Sequence, residues 1–153
     1  LTYLKSVAVF SDPLNNTTNP KSIPGAMQVY TLRVTNQGAG AVDSNTVAIV
    51  DAVPANTAVF VQDLGVAGSG PVAFTNGTPT SALTYTSSGL GNGGDDLEFS
   101  NNGGTSWAYT PVANASGCDP AVTHIRVKPK GTMAGATGAG NPFFELRFRV
   151  RVN

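Results

Sequence analysis

The chain has 153 residues, and nine Lys and Arg balance nine Asp and Glu, so its formal charge at pH 7 is zero. Only 12 % of residues are charged, against a usual share of about 25 %, and Gly, Ser, Thr and Asn fill the gap, as in many extracellular β proteins. No net field draws nucleic acid or an acidic membrane, no apolar run approaches the roughly 18–20 residues that span a bilayer, and the length suits one domain burying about 68–70 % of its unfolded surface.

The first predicted strand runs through LTYLKSVAVF. One face carries Leu1, Tyr3, Val7 and Val9, interrupted by Lys5; the other carries Leu4, Ala8 and Phe10 with Thr2 and Ser6. A strand apolar on both faces belongs either in the middle of its own sheet or in a groove of a neighbour. In the second case it is a donor strand that completes the next subunit's sheet through main-chain hydrogen bonds. Leu1, Tyr3, Leu4, Val7, Val9 and Phe10 are then the assembly residues, residues 1–12 form the donor strand and junction, and residues 13–153 form the body. Ser11-Asp12-Pro13 and the polar NNTTNP that follows read as a flexible hinge. The chain opens on Leu1 rather than Met, which reads as a processed mature protein or an excised fragment.

Pro24-Gly25 sets a turn before MQVYTLRVTN, where Gln28, Tyr30, Leu32 and Val34 alternate with Met27, Val29, Thr31 and Arg33. Period-two alternation of β-branched and aromatic residues marks a half-buried strand, and the Gly38–Gly40 stretch ends it. Through VYTLRVTNQGAGA and VDAVPANTAVFV, with Asp51 and Pro54, the segment Asn19–Val61 resembles the repeat module of bacterial and archaeal surface proteins known as domain of unknown function eleven. That resemblance implies an immunoglobulin-like β-sandwich displayed on a cell surface, commonly in tandem arrays, and no catalytic activity.

Further strands are predicted at 45–50, 57–61, 82–86, 96–100, 106–110, 123–128 and 143–152. Gly, Asn, Pro and Ser clusters separate them, and no segment has a capped helical period. Short strands with frequent turns define an all-β, single-domain Greek-key or immunoglobulin-like sandwich of about 8–9 strands, open to completion by a neighbour's strand. The small-residue run Gly131–Gly140 reads as a long, mobile loop. In FFELRFRVRVN, Phe144, Leu146, Phe148, Val150 and Val152 face the core and Glu145, Arg147, Arg149 and Arg151 face out. The arginines read as a solvated face that discourages edge pairing, with a polyanion site as the competing reading.

Ser100–Trp107, SNNGGTSW, resembles the Asp-box hairpin with Asn102 in place of the Asp and Ser106 in place of the Thr. This resemblance implies a structural hairpin anchored by Trp107. Asp95, Asp96 and Glu98 are the candidate calcium oxygens, although no EF-hand spacing accompanies them. His124 alternates with inward Ile125 and Val127 and is expected on an exposed strand face. Lone Cys118 cannot form an internal disulfide and is expected as a buried or loop thiol. Sequons at Asn15, Asn16, Asn76 and Asn114 are candidate glycosylation sites in polar loops. A self-formed isopeptide between Lys5 and Asn153, assisted by Asp51 or Glu145, would require a buried apolar setting.

With no metal cluster, cofactor motif or nucleophile–base set, two functions remain. The first is a non-enzymatic subunit of an extracellular filament, with copies of itself as partners. The second is an autonomous sandwich module of a larger adhesin or surface-layer protein. No motif names a host or cell-surface ligand.

Overall fold

The computed structural model describes Leu1–Asn153 as an all-β sandwich of two antiparallel sheets. The nine strands are β1 (Thr2–Ser11), β2 (Met27–Thr35), β3 (Ile49–Ala52), β4 (Thr57–Phe60), β5 (Val72–Asn76), β6 (Leu97–Ser100), β7 (Cys118–Asp119), β8 (His124–Val127) and β9 (Phe143–Val152). The larger sheet runs β1-β2-β9-β4-β7, and β5 shares the far edge of β9 with β4. The smaller runs β3-β8-β6.

Alternation explains why β9 organises the core. Phe144, Leu146, Phe148 and Val150 are all buried, and they stand level with Val34, Leu32, Tyr30 and Gln28 of β2. Slipping this pairing by one residue would turn the apolar row to solvent, so burial fixes the register. Ile125 and Val127 of β8 face them from the small sheet, flanked by Leu97 and Phe99 of β6. Stacked rings close the interior, with Tyr30 over Phe148 at 5.5 Å and Phe74 over Phe144 at 5.2 Å between centroids.

Several expectations are corrected. Segment 82–86 is not a strand: Leu83 is buried and Tyr85 packs on Phe74, but only Thr84 bridges, to Lys130. Segment 106–110 likewise contributes a single bridge, Tyr109 to Phe99. Their places are taken by β5 and the short β7, and the strand expected at 45–50 lies at Ile49–Ala52. The Gly131–Gly140 run is tied down rather than loose. Met133 is fully buried, Ala134 N–H donates to Ser81 O and Ala136 N–H to Gly38 O. Gly135 lies so close to the Ala39 carbonyl that a Cβ there would meet its oxygen at 2.2 Å. The arginine row does face outward, but on a strand paired along both sides, so it guards no edge.

Candidate functional site

The N-terminal strand is neither central nor unpaired. β1 forms the edge of the larger sheet and pairs antiparallel with β2 from Thr2 opposite Thr35 to Ser11 opposite Met27, with a bulge between Val9 and Ser11. Its other edge is free. At about 3.3 Å per residue this open edge is roughly 30 Å long, longer than natural sheets usually leave unguarded.

Its side chains are poorly covered. Tyr3, Lys5, Val7 and Val9 stand level with Val34, Leu32, Tyr30 and Gln28 and so face the small sheet. That sheet has only three strands, however, and its near edge is the four-residue β3, so most of β1 overhangs it. Val7 is 52 % exposed on the inner face and Leu4 65 % on the outer face, whereas Val34 in the neighbouring strand is 2 % exposed. Leu1, Tyr3 and Phe10 are also exposed and Val9 is half-buried. On the outer face Arg149 stacks over the Phe10 ring at 3.9 Å, a contact of about 0.5–1 kcal/mol at an exposed site.

One element of the small sheet does reach β1. Asp51 lies inward on β3, level with Ile125 of β8, and is 9 % exposed. Its Oδ2 accepts from the Lys5 ammonium at 2.6 Å and its Oδ1 from the Tyr3 hydroxyl at 3.1 Å. The Lys5 ammonium also sits 4.7 Å above the Tyr30 ring. Burial, then the charge of Asp51 and its hydrogen bond, push the Tyr3 phenol well above its ordinary value, so it stays a donor. Lys5 and Asp51 are the single charges on otherwise apolar inward rows, which is the sequence signal for their meeting. The Lys5–Asn153 isopeptide is overturned by the same register. Lys5 is level with Leu32 and hence with Leu146, and Asn153 lies beyond the far end of β9, roughly 20 Å further along at strand rise. Glu145 pairs outward with Arg147 at 2.9 Å.

The hinge is ordered. Asp12 is buried, and its carboxylate accepts from the backbone N–H groups of Leu14, Asn15 and Lys21 and from the Asn15 side chain. Burial works against the charged form, but these hydrogen bonds outweigh it and hold the carboxyl well below its ordinary 3.8. Gly25, with φ of +87°, completes the return to β2; a Cβ there would meet Pro13 Cγ at 2.8 Å.

The remaining candidates disperse. Asp95 accepts from Ser88 and Leu97 N–H, Asp96 from Thr86 N–H, and Glu98 holds Arg126 and Lys128. No three His, Cys, Asp or Glu side chains gather at one point. Burial raises the Glu98 carboxyl, but its two cations prevail and lower it. The Ser100–Trp107 hairpin folds through Asn102, whose Oδ1 accepts from Ser106 N–H at 3.0 Å. Trp107 lies outside the core cluster, where Arg126 stacks on it at 4.3 Å and His124 meets it edge-on. His124 is therefore half-buried rather than exposed, and its Nδ1 has no partner. Cys118 is fully buried; burial raises its thiol against the opposing charge of Arg151. All four sequon asparagines are exposed, but Asn15 is engaged by Asp12, and Asn76 ends β5 rather than lying in a loop, its amide donating to Leu83 O.

No protein-family model matches the chain, and neither does any curated protein sequence. The likeness to the surface-protein repeat therefore rests on the motifs of Asn19–Val61 alone.

Proposed function

We propose that this chain is a non-enzymatic structural subunit of an extracellular, pilus-like filament, in which β1 of one copy occupies the slot beside β2 of the next. The observation that carries this reading is the character of β1. It is a ten-residue edge strand, apolar on both faces and left exposed on both, attached to the body through residues 12–26. A strand passed between copies lies at the seam between two bodies, where both faces are covered. Burying a Leu, Val or Phe side chain is worth about 1.5–3 kcal/mol when complete, so half-exposed Leu4, Val7 and Phe10 together supply a useful part of a subunit contact. The low charge, the Gly-, Ser-, Thr- and Asn-rich composition and the resemblance to surface-protein repeats support an extracellular setting, with Asn16 and Asn114 as the more accessible sequons.

A second reading is an autonomous module of a larger adhesin or surface-layer protein. It is favoured by the continuous pairing of β1 with its own β2. Negative-stain electron microscopy of the purified chain beside a version lacking residues 1–12 separates the two. Filaments from the full chain alone support the filament subunit; monodisperse particles from both support the autonomous module.

A further inference from the structure

The slot that β1 fills contains one feature that apolar packing does not require. Asp51 presents a carboxylate to a wall made by Leu32, Ile49, Ile125 and Phe148. Its two side-chain hydrogen bonds both come from β1, one from Tyr3 and one from Lys5. Without β1, Asp51 loses both of these partners, and any strand that covers its carboxylate again without supplying a donor and a cation buries an unpaired charge, which is strongly unfavourable. The vacated slot therefore demands a hydroxyl and a cation two residues apart on one face of the entering strand.

The remaining contacts would not set a register. Moving β1 by two residues keeps the same face inward and exchanges Val7 and Val9 among similar environments. Lys5 and the Tyr3 hydroxyl break this equivalence. A two-residue slip puts Tyr3 or Val7 level with Leu32 in its place and deprives Asp51 of its cation. A one-residue slip presents Leu4 or Ser6 instead. Polar pairs at otherwise apolar positions are an attested means of fixing register.

We infer that Asp51 is the recognition residue of the acceptor slot, and that in the filament it binds Lys5 and Tyr3 of the strand donated by a second copy of this chain. This rests on the strand-exchange reading above and specifies which residues make the exchange register-specific.

Reciprocal charge variants of the full chain provide the test. Lys5→Asp sets a donated Asp against Asp51, and Asp51→Lys sets Lys5 against a Lys. In an equimolar mixture, each variant's strand matches the other's slot, so alternating fibres form. The expected result is wild-type fibres, a fibre yield reduced about tenfold or more for each variant alone, and recovery on mixing, scored by electron microscopy and sedimentation. Circular dichroism of each variant, with the double variant Lys5→Asp/Asp51→Lys, separates loss of assembly from loss of folding. If either single variant assembles as well as wild type, the recognition role is overturned while the filament reading stands. If only the double variant recovers and the mixture does not, the pair acts within one chain and the inference is wrong. If the wild-type chain forms no fibres, the filament reading fails and the inference falls with it.

Discussion

The Lys5 ammonium stands 2.6 Å from the Asp51 carboxylate and so joins the edge strand of the larger sheet to the edge strand of the smaller. The two partners are unequally buried, with side chains 27 % and 11 % exposed respectively. Removing Lys5 leaves the mostly buried carboxylate without a cation and with only the Tyr3 hydroxyl as partner, whereas removing Asp51 leaves an ammonium that reaches water. Lys5→Ala should therefore destabilise the chain more than Asp51→Ala, by about 1–3 kcal/mol against less than about 1 kcal/mol, as read from urea unfolding midpoints. Equal losses would contradict this asymmetry.

Asp12 fixes the hinge from which β1 departs. Its folded carboxyl is held below its ordinary 3.8, as is that of Glu98 below its ordinary 4.5. Groups lowered in this way contribute their full stability above the unfolded value and lose it as pH falls through the folded one. The chain should accordingly keep its stability from neutral pH down to the ordinary carboxylate range and lose it below. In Asp12→Asn the acid loss should be shallower, as followed by unfolding midpoints across pH. Faster hydrogen exchange at Leu14, Asn15 and Lys21 in that variant would report the released hinge.

Assembly and folding should separate cleanly in β1. Leu4→Glu, Val7→Glu and Phe10→Glu place charge on side chains that water already reaches in the single subunit, where surface changes cost little. Each should leave the unfolding midpoint nearly unchanged and abolish fibres. A variant that still assembles would remove β1 from the contact.

The aromatic residues make a contrasting pair. Phe144 is fully buried, and Phe144→Ala should cost about 3–5 kcal/mol. Trp107 lies outside the core beside Arg126, and Trp107→Ala should cost on the order of 1 kcal/mol through the lost cation–π contact and partial burial. Thermal unfolding of both variants tests the placement.

These placements show where sequence reading succeeds. β2 and β9 were legible because each turns one alternating row to the core, buried from Phe144 to Val150 in β9 and at Leu32 and Val34 in β2, and alternation reports that directly. The same signal misled at ALTYT, residues 82–86, where Leu83 and Tyr85 do turn inward but the backbone bonds to side chains and to Lys130 instead of a ladder. Alternation records which side chains are buried, not which main-chain groups are paired. β5 was missed because Pro71 precedes it and Gly77-Thr78-Pro79 follows it, so a short strand reads as loop. The apolar character of β1 was legible, but its edge position was not, since that depends on the width of the opposing sheet. The meeting of Lys5 with Asp51 depends on packing between strands distant in sequence, and only their isolation on inward faces hinted at it.

Zero-length cross-linking tests the passage of β1 between copies most directly. Equal amounts of unlabelled and nitrogen-15-labelled chain are mixed before assembly, and the fibres are treated with a carbodiimide, which joins the touching Lys5 and Asp51 by an amide. Strand exchange predicts that about half of the Lys5–Asp51 linked peptides carry one labelled and one unlabelled partner, as expected for random pairing between copies. Linked peptides of uniform label alone would show that β1 stays in its own sheet, and would contradict the account.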